Sequence, residues 1–127
     1  MQKTLTVLLM LARLLWVVQL IVGLCLWFGA LTGAVAFHMS IGSLFVLDMW
    51  IISLIALFAL PTRRVALFAL VWGGFLLWFG MAQVSILVGS PHWIVRLVHL
   101  LVGVAAIALI ESLTKAVKRH KAAQATA

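Results

Sequence analysis

Acidic side chains are nearly missing from this chain: Asp48 and Glu111 are the only two in 127 residues, against nine Lys or Arg. A soluble domain of this length can bury a core, but its surface needs far more charge of both signs to stay in solution. With 67% of its residues hydrophobic, the chain points to lipid as its main solvent. Cysteine is reduced to Cys25, so no intrachain disulfide can form; the thiol lies in an apolar stretch, where packing is its expected role. No C-x-x-C-H sequence is present, which excludes covalent c-type heme attachment. A phosphate-cradling glycine loop, H-E-x-x-H and a nucleophile-base arrangement are also missing, so hydrolysis has no support. The formal charge of +7 does not read as a nucleic-acid surface, because the cations fall between and beyond apolar stretches without interleaved aromatics.

What is there is four apolar runs: about Leu5 to Ala30, Val35 to Leu60, Val65 to Val88 and Trp93 to Leu113. Each reaches the roughly 20 residues an α-helix needs to cross a bilayer. The run after Lys3 is too long for the core of a cleaved leader and lacks a small-x-small site, so the first span is expected to stay. The breaks are short: Leu31 to Ala34, Pro61-Thr62-Arg63-Arg64 and Gly89-Ser90-Pro91-His92. Such connections force consecutive helices side by side, which predicts an all-α, four-helix transmembrane up-down bundle. Strands are disfavoured, because four segments cannot close a barrel and an open edge leaves backbone groups unsatisfied in hydrocarbon.

Charge gives direction. Lys3, Arg13, Arg63, Arg64, Lys115, Lys118, Arg119 and Lys121 share one side if the chain starts inside, and neither opposite loop holds Lys or Arg. The expectation is an N-in, C-in integral protein of a plasma or bacterial inner membrane, with residues 1–114 as the membrane domain and 115–127 as a basic cytoplasmic tail that can meet anionic lipid. Arg13 lies inside the first span, where snorkelling toward the headgroups is the expected solution.

Gly23-Leu-Cys-Leu-Trp-Phe-Gly29 and Gly74-Phe-Leu-Leu-Trp-Phe-Gly80 agree at five of seven positions, and each precedes a helix with His-x-x-x-Gly: His38 with Gly42, His99 with Gly103. Convergent membrane composition explains such similarity as readily as duplication of a two-helix unit about an axis along the membrane normal. A duplication would bring His38 and His99 together from the second and fourth helices.

Histidines in a membrane span are costly unless paired or ligated. Facing imidazoles can supply both axial ligands of a b-type heme, and a glycine one turn along each helix leaves room for a flat macrocycle. His92, Arg96, His99 and Gly103 form one stripe on the fourth helix. Arg96 suits a propionate; His92 suits a propionate or a quinone, or could replace an axial ligand. For His99 the competing expectation is a structural bond to Gln83, Ser85 or a helix carbonyl. On His38-x-x-x-Gly42 and His99-x-x-x-Gly103, the helical region from Leu5 to Leu113 resembles the four-helix membrane b-type cytochromes. That resemblance implies noncovalent heme b, bis-histidine ligation by His38 and His99, and electron exchange with a quinone or redox-protein partner. With three histidines in or beside the spans, one heme per chain is expected rather than the commoner two.

Asp48 falls near the middle of the second span, about 15 Å deeper than His38 and roughly 80° around the helix, so it is protonated or paired. Gln19 at similar depth is its expected partner. Glu111 is placed to pair with Lys115 at i,i+4. Gly29-x-x-x-Gly33, Gly73, Gly74 and Gly103 can permit close helix contact. Two other functions compete with electron transfer: a membrane scaffold or accessory subunit in a stable complex or homo-oligomer, and a homo-oligomeric transporter or ion conductor using Asp48.

Overall fold

The computed structural model describes residues 2–126. Four helices carry the chain: α1 (Gln2–Trp27), α2 (Val35–Ala59), α3 (Arg64–Ala82) and α4 (His92–Ala125). Among the described residues there is no strand. All four are long and apolar enough to cross a membrane. Their outer surfaces suit lipid: Val7, Leu14, Phe58 and Val71 are all exposed.

The first two helices follow the expected spans closely, while the last two differ. α3 stops at Ala82 instead of reaching Val88, giving way to a 3-10 turn at Gln83–Ser85 and an irregular segment in which Leu87 and Gly89 both have positive φ. α4 does not stop near Leu113. It continues helically to Ala125, and its 34 residues amount to about 51 Å at 1.5 Å per residue, well beyond a hydrocarbon layer of about 30 Å. Residues 115–125 are thus an extension of the bundle, held by Lys118 Nζ donating to Thr6 Oγ1 at 2.9 Å.

α1 ends because Gly29 adopts φ +75°, with Gly29 N–H donating to Leu26 O and Ala30 N–H to Cys25 O. This left-handed stop favours glycine and satisfies two terminal carbonyls. The expected Gly29-x-x-x-Gly33 contact does not form: a side chain at either position would meet nothing within 4 Å.

Consecutive helices pack together, α4 closes the ring against α1, and α2 also touches α4 across the diagonal, whereas α1 and α3 do not meet. Along α1 and α4, Thr6 meets Lys118, Arg13 meets Glu111 and Trp27 meets Arg96, so the two run in opposite directions. Arg13 is paired within the bundle: its guanidinium bonds Glu111 at 2.8 Å, and Glu111 takes Lys115 at 3.2 Å as the i,i+4 spacing predicts.

Toward the basic end the interior is solid. Leu5, Met49, Ile52, Ile110, Leu113 and Val117 fill it, and Ala12, Ala56, Ala66, Ala69 and Ala106 bring the backbones close. The tryptophans brace the middle: Trp16 Nε1 donates to Gly103 O, Trp72 Nε1 to Val102 O and Trp50 Nε1 to Leu70 O.

Asp48 is 2% exposed and neither carboxyl oxygen has a hydrogen-bond partner. The expected bond from Gln19 does not form. Gln19 packs instead against Gly42, where a side chain would stand 2.5 Å from its Nε2, and its own Oε1 is buried without a partner. A buried polar group left unpaired costs about 1–3 kcal/mol. Asp48→Leu is therefore expected to raise stability by about that amount, and Asp48→Asn to leave it unchanged, read as thermal unfolding in mild detergent. A clear loss on Asp48→Asn would show that the carboxyl holds a partner.

Candidate functional site

The half of the bundle away from the basic end is open, and the sequence explains why. Here the helices contribute Gly23 (α1), Gly42 (α2), Gly80 (α3) and Gly103 (α4), the first three seating His38, Gln19 and His99 and the last facing open space. A cavity of about 730 Å³ results, floored by Trp16, Gln19, Phe45 and Val46 and opening past His92 and Arg96. That size lies within the roughly 300–1,000 Å³ of typical cofactor and ligand pockets.

His38 and His99 both line it, one from α2 and one from α4, with ring centroids 6.3 Å apart and planes tilted by 55°. The diagonal approach of α2 to α4 brings them together, as the paired His-x-x-x-Gly segments anticipate. Each ring is seated against a glycine of the preceding helix. A side chain at Gly23 would stand 3.1 Å from His38 Cε1, and one at Gly80 would stand 3.3 Å from His99 Cε1. Phe79 flanks the second ring, its centroid 5.9 Å from that of His99.

The ring nitrogens divide in two. Nδ1 of both histidines is shut away from solvent without a hydrogen-bond partner, while neither Nε2 is so enclosed. The competing expectation for His99 fails: Gln83 donates to Gly80 O rather than to the imidazole. Two facing rings without a hydrogen bond are the kind of exception that invites a ligand or ion, and Nε2 is the nitrogen open to one.

Gly42 and Gly103 line the cavity as expected, in different ways. Gly42 makes room for Gln19, whereas a side chain at Gly103 would meet no atom within 4 Å and would project into open space. Gly23 and Gly80, which touch the histidines, were visible only as parts of the repeated motif. They also occupy opposite ends of it, Gly23 opening the first copy and Gly80 closing the second. The copies are therefore not used equivalently. The signal that finds them is antiparallel pairing: four residues back along α1, from Gly23 to Gln19, corresponds to four forward along α2, from His38 to Gly42.

At the mouth, His92 Nδ1 bonds Ile86 O at 3.2 Å and fastens the α3–α4 connection. A carbonyl can only accept, so Nδ1 carries the proton and Nε2 is left to face a partner. Arg96 donates to Trp27 O at 3.3 Å and keeps its other N–H groups for the cavity it lines. Among the described residues no group of three or more His, Cys, Asp or Glu converges on one point. A site of this kind therefore needs a partner that brings most of its own donor atoms. Comparison with protein families, curated proteins and solved structures gives no match to this chain.

Proposed function

We propose that this chain is an integral membrane b-type heme protein that passes electrons, with His38 and His99 as the two axial ligands. The observation that carries this reading is the pair of imidazoles in one cavity. Two rings bound through Nε2 on opposite sides of one metal, each nitrogen about 2 Å away, have centroids about 6.2 Å apart. The separation here is 6.3 Å. A porphyrin would supply four donors of its own, so two protein ligands would suffice, and Gly103 leaves open space in the cavity that would take it. One heme b per chain is the stoichiometry.

Heme b supplies a one-electron Fe(III)/Fe(II) couple when bound. The protein's part is to hold both imidazoles in register, exclude water with the Trp16 and Phe45 floor, and meet the propionates with Arg96 and His92 at the mouth. In this reading the bundle is up-down with both termini cytoplasmic, following the basic residues at one end. The heme lies in the outer leaflet of a plasma or bacterial inner membrane and exchanges electrons with a quinone or a redox protein. The burial of Asp48 weighs against an ion path between subunits, since a side chain lining one would face outward.

Purification in mild detergent after expression with ample heme is expected to give a Soret band, sharp reduced-form bands and a protoheme result in the pyridine hemochrome assay. A colourless, folded protein would refute the proposal and favour a scaffold or accessory subunit, which would instead co-purify with a stable partner or as a homo-oligomer.

A further inference from the structure

A metal-bound histidine ordinarily donates its second ring N–H to a carboxylate, carbonyl or water, which fixes the ring and makes it a stronger donor to the metal. In this site that support is missing twice. Nδ1 of His38 and Nδ1 of His99 are both enclosed and unpartnered. Of the polar groups lining the cavity, Gln83 donates to Gly80 O, Ser43 to Met39 O and His92 to Ile86 O, and Gln19 packs against Gly42 with its own Oε1 unpartnered; none of them accepts from either Nδ1. Asp48 lies ten residues along α2 from His38, about 15 Å away.

Resting on the heme reading above, we infer that Gly23 tunes the site's redox preference by withholding a hydrogen-bond acceptor from His38 Nδ1, which favours the ferrous state. An imidazole whose N–H has no acceptor carries less negative charge and stabilises the additional positive charge of ferric iron less well. Gly23 is the position where an acceptor could enter. A Cβ there would face His38 Cε1 at 3.1 Å, with Nδ1 at 3.8 Å and Nε2 at 3.9 Å; with Nε2 engaged by the metal, Nδ1–H is the ring donor that a hydroxyl on that carbon could meet. Gly80 differs, because a Cβ there would meet His99 Cε1 alone, with no ring nitrogen within 4 Å. The control is therefore built into one position: alanine adds the carbon without the acceptor, and serine adds both.

Redox titration of the heme-loaded wild type, Gly23→Ala and Gly23→Ser, followed by absorbance, tests the inference. Both variants add the carbon that presses on His38 Cε1, so the comparison is between them. Gly23→Ser is expected to have a ferrous preference about tenfold weaker than Gly23→Ala, a midpoint about 59 mV lower for one electron. Imidazole ¹⁵N shifts of the wild type without heme give a second readout that needs no variant, with His38 Nδ1 expected in the range of an unbonded nitrogen. A serine variant with bis-imidazole ligation intact and the midpoint of the alanine variant, or a wild-type nitrogen shift typical of a strong hydrogen bond, overturns this inference and leaves the heme reading standing. A wild type that takes up no heme overturns both.

Discussion

Alanine at His38 or at His99 is expected to abolish low-spin bis-imidazole heme, each substitution acting alone. Losing an outer partner of a metal ligand costs about 10–100-fold in affinity, so losing an axial ligand is expected to exceed about 100-fold. The reduced-form absorption bands and heme-to-protein ratio of purified variants measure this. His92→Ala and His120→Ala serve as contrasts. His92 holds the connection before α4 through Ile86 O, and His120 lies beyond the spanning part of that helix, bonded to Gln124 at 3.1 Å. Both are expected to keep the low-spin spectrum, with His92→Ala lowering occupancy through its place at the mouth. A low-spin spectrum that survived His99→Ala but vanished with His92→Ala would exchange the ligand assignment.

The largest expected effect on stability is at Gly73. A side chain there would have its first carbon 2.7 Å from Trp50 Nε1 and 3.1 Å from Trp50 Cδ1. The indole cannot give way freely, because its N–H is bonded to Leu70 O at 3.0 Å. Gly73→Leu therefore combines overpacking, about 1–3 kcal/mol, with displacement of a partly buried donor, about 1 kcal/mol. A loss of about 3 kcal/mol is expected in thermal or denaturant unfolding in detergent. At Gly74, one residue on, the first carbon of a side chain would meet nothing within 4 Å, and Gly74→Leu is expected to be neutral or slightly stabilising through helix propensity. Equal losses at the two positions would show that helix flexibility, rather than the Trp50 contact, sets the requirement for glycine.

The elements legible in the sequence were those fixed by local chemistry. Four apolar runs, the breaks at Pro61 and Pro91, and the Glu111–Lys115 pair each follow from residues close in the chain. The end of α3 was harder to read, because Val84, Ile86, Leu87 and Val88 keep the run apolar although the backbone has left the helix. Apolarity alone did not report helix. α4 failed in the opposite sense: Lys115 to Lys121 end the hydrophobic run, yet Ala, Lys and Arg are strong helix formers and the helix continues. Arg13 found Glu111, 98 residues away, which no local pattern announces.

The candidate site divides along the same line. His38 and His99 stood out because a polar ring in an apolar run is conspicuous, but their meeting depends on the α2–α4 diagonal contact, which no local pattern specifies. Their supporting glycines did not stand out, since Gly23 and Gly80 act across a helix interface and matter through the absence of a side chain. Asp48 was conspicuous too, but the α1–α2 register sets Gln19 against Gly42, six residues or about 9 Å along α2 from Asp48, and so out of its reach.

The α2–α4 diagonal also has a consequence in time. His38 and His99 are separated by 61 positions in the sequence. A ribosome adding about 5–20 residues per second needs roughly 3–12 s to cover that stretch. For that interval His38 exists without the ring that faces it in the finished bundle. Arrival of the last helix is then the step that completes the cavity. If heme binds as proposed, its uptake is expected to be post-insertional, and a nascent chain halted before α4 should be unable to retain it.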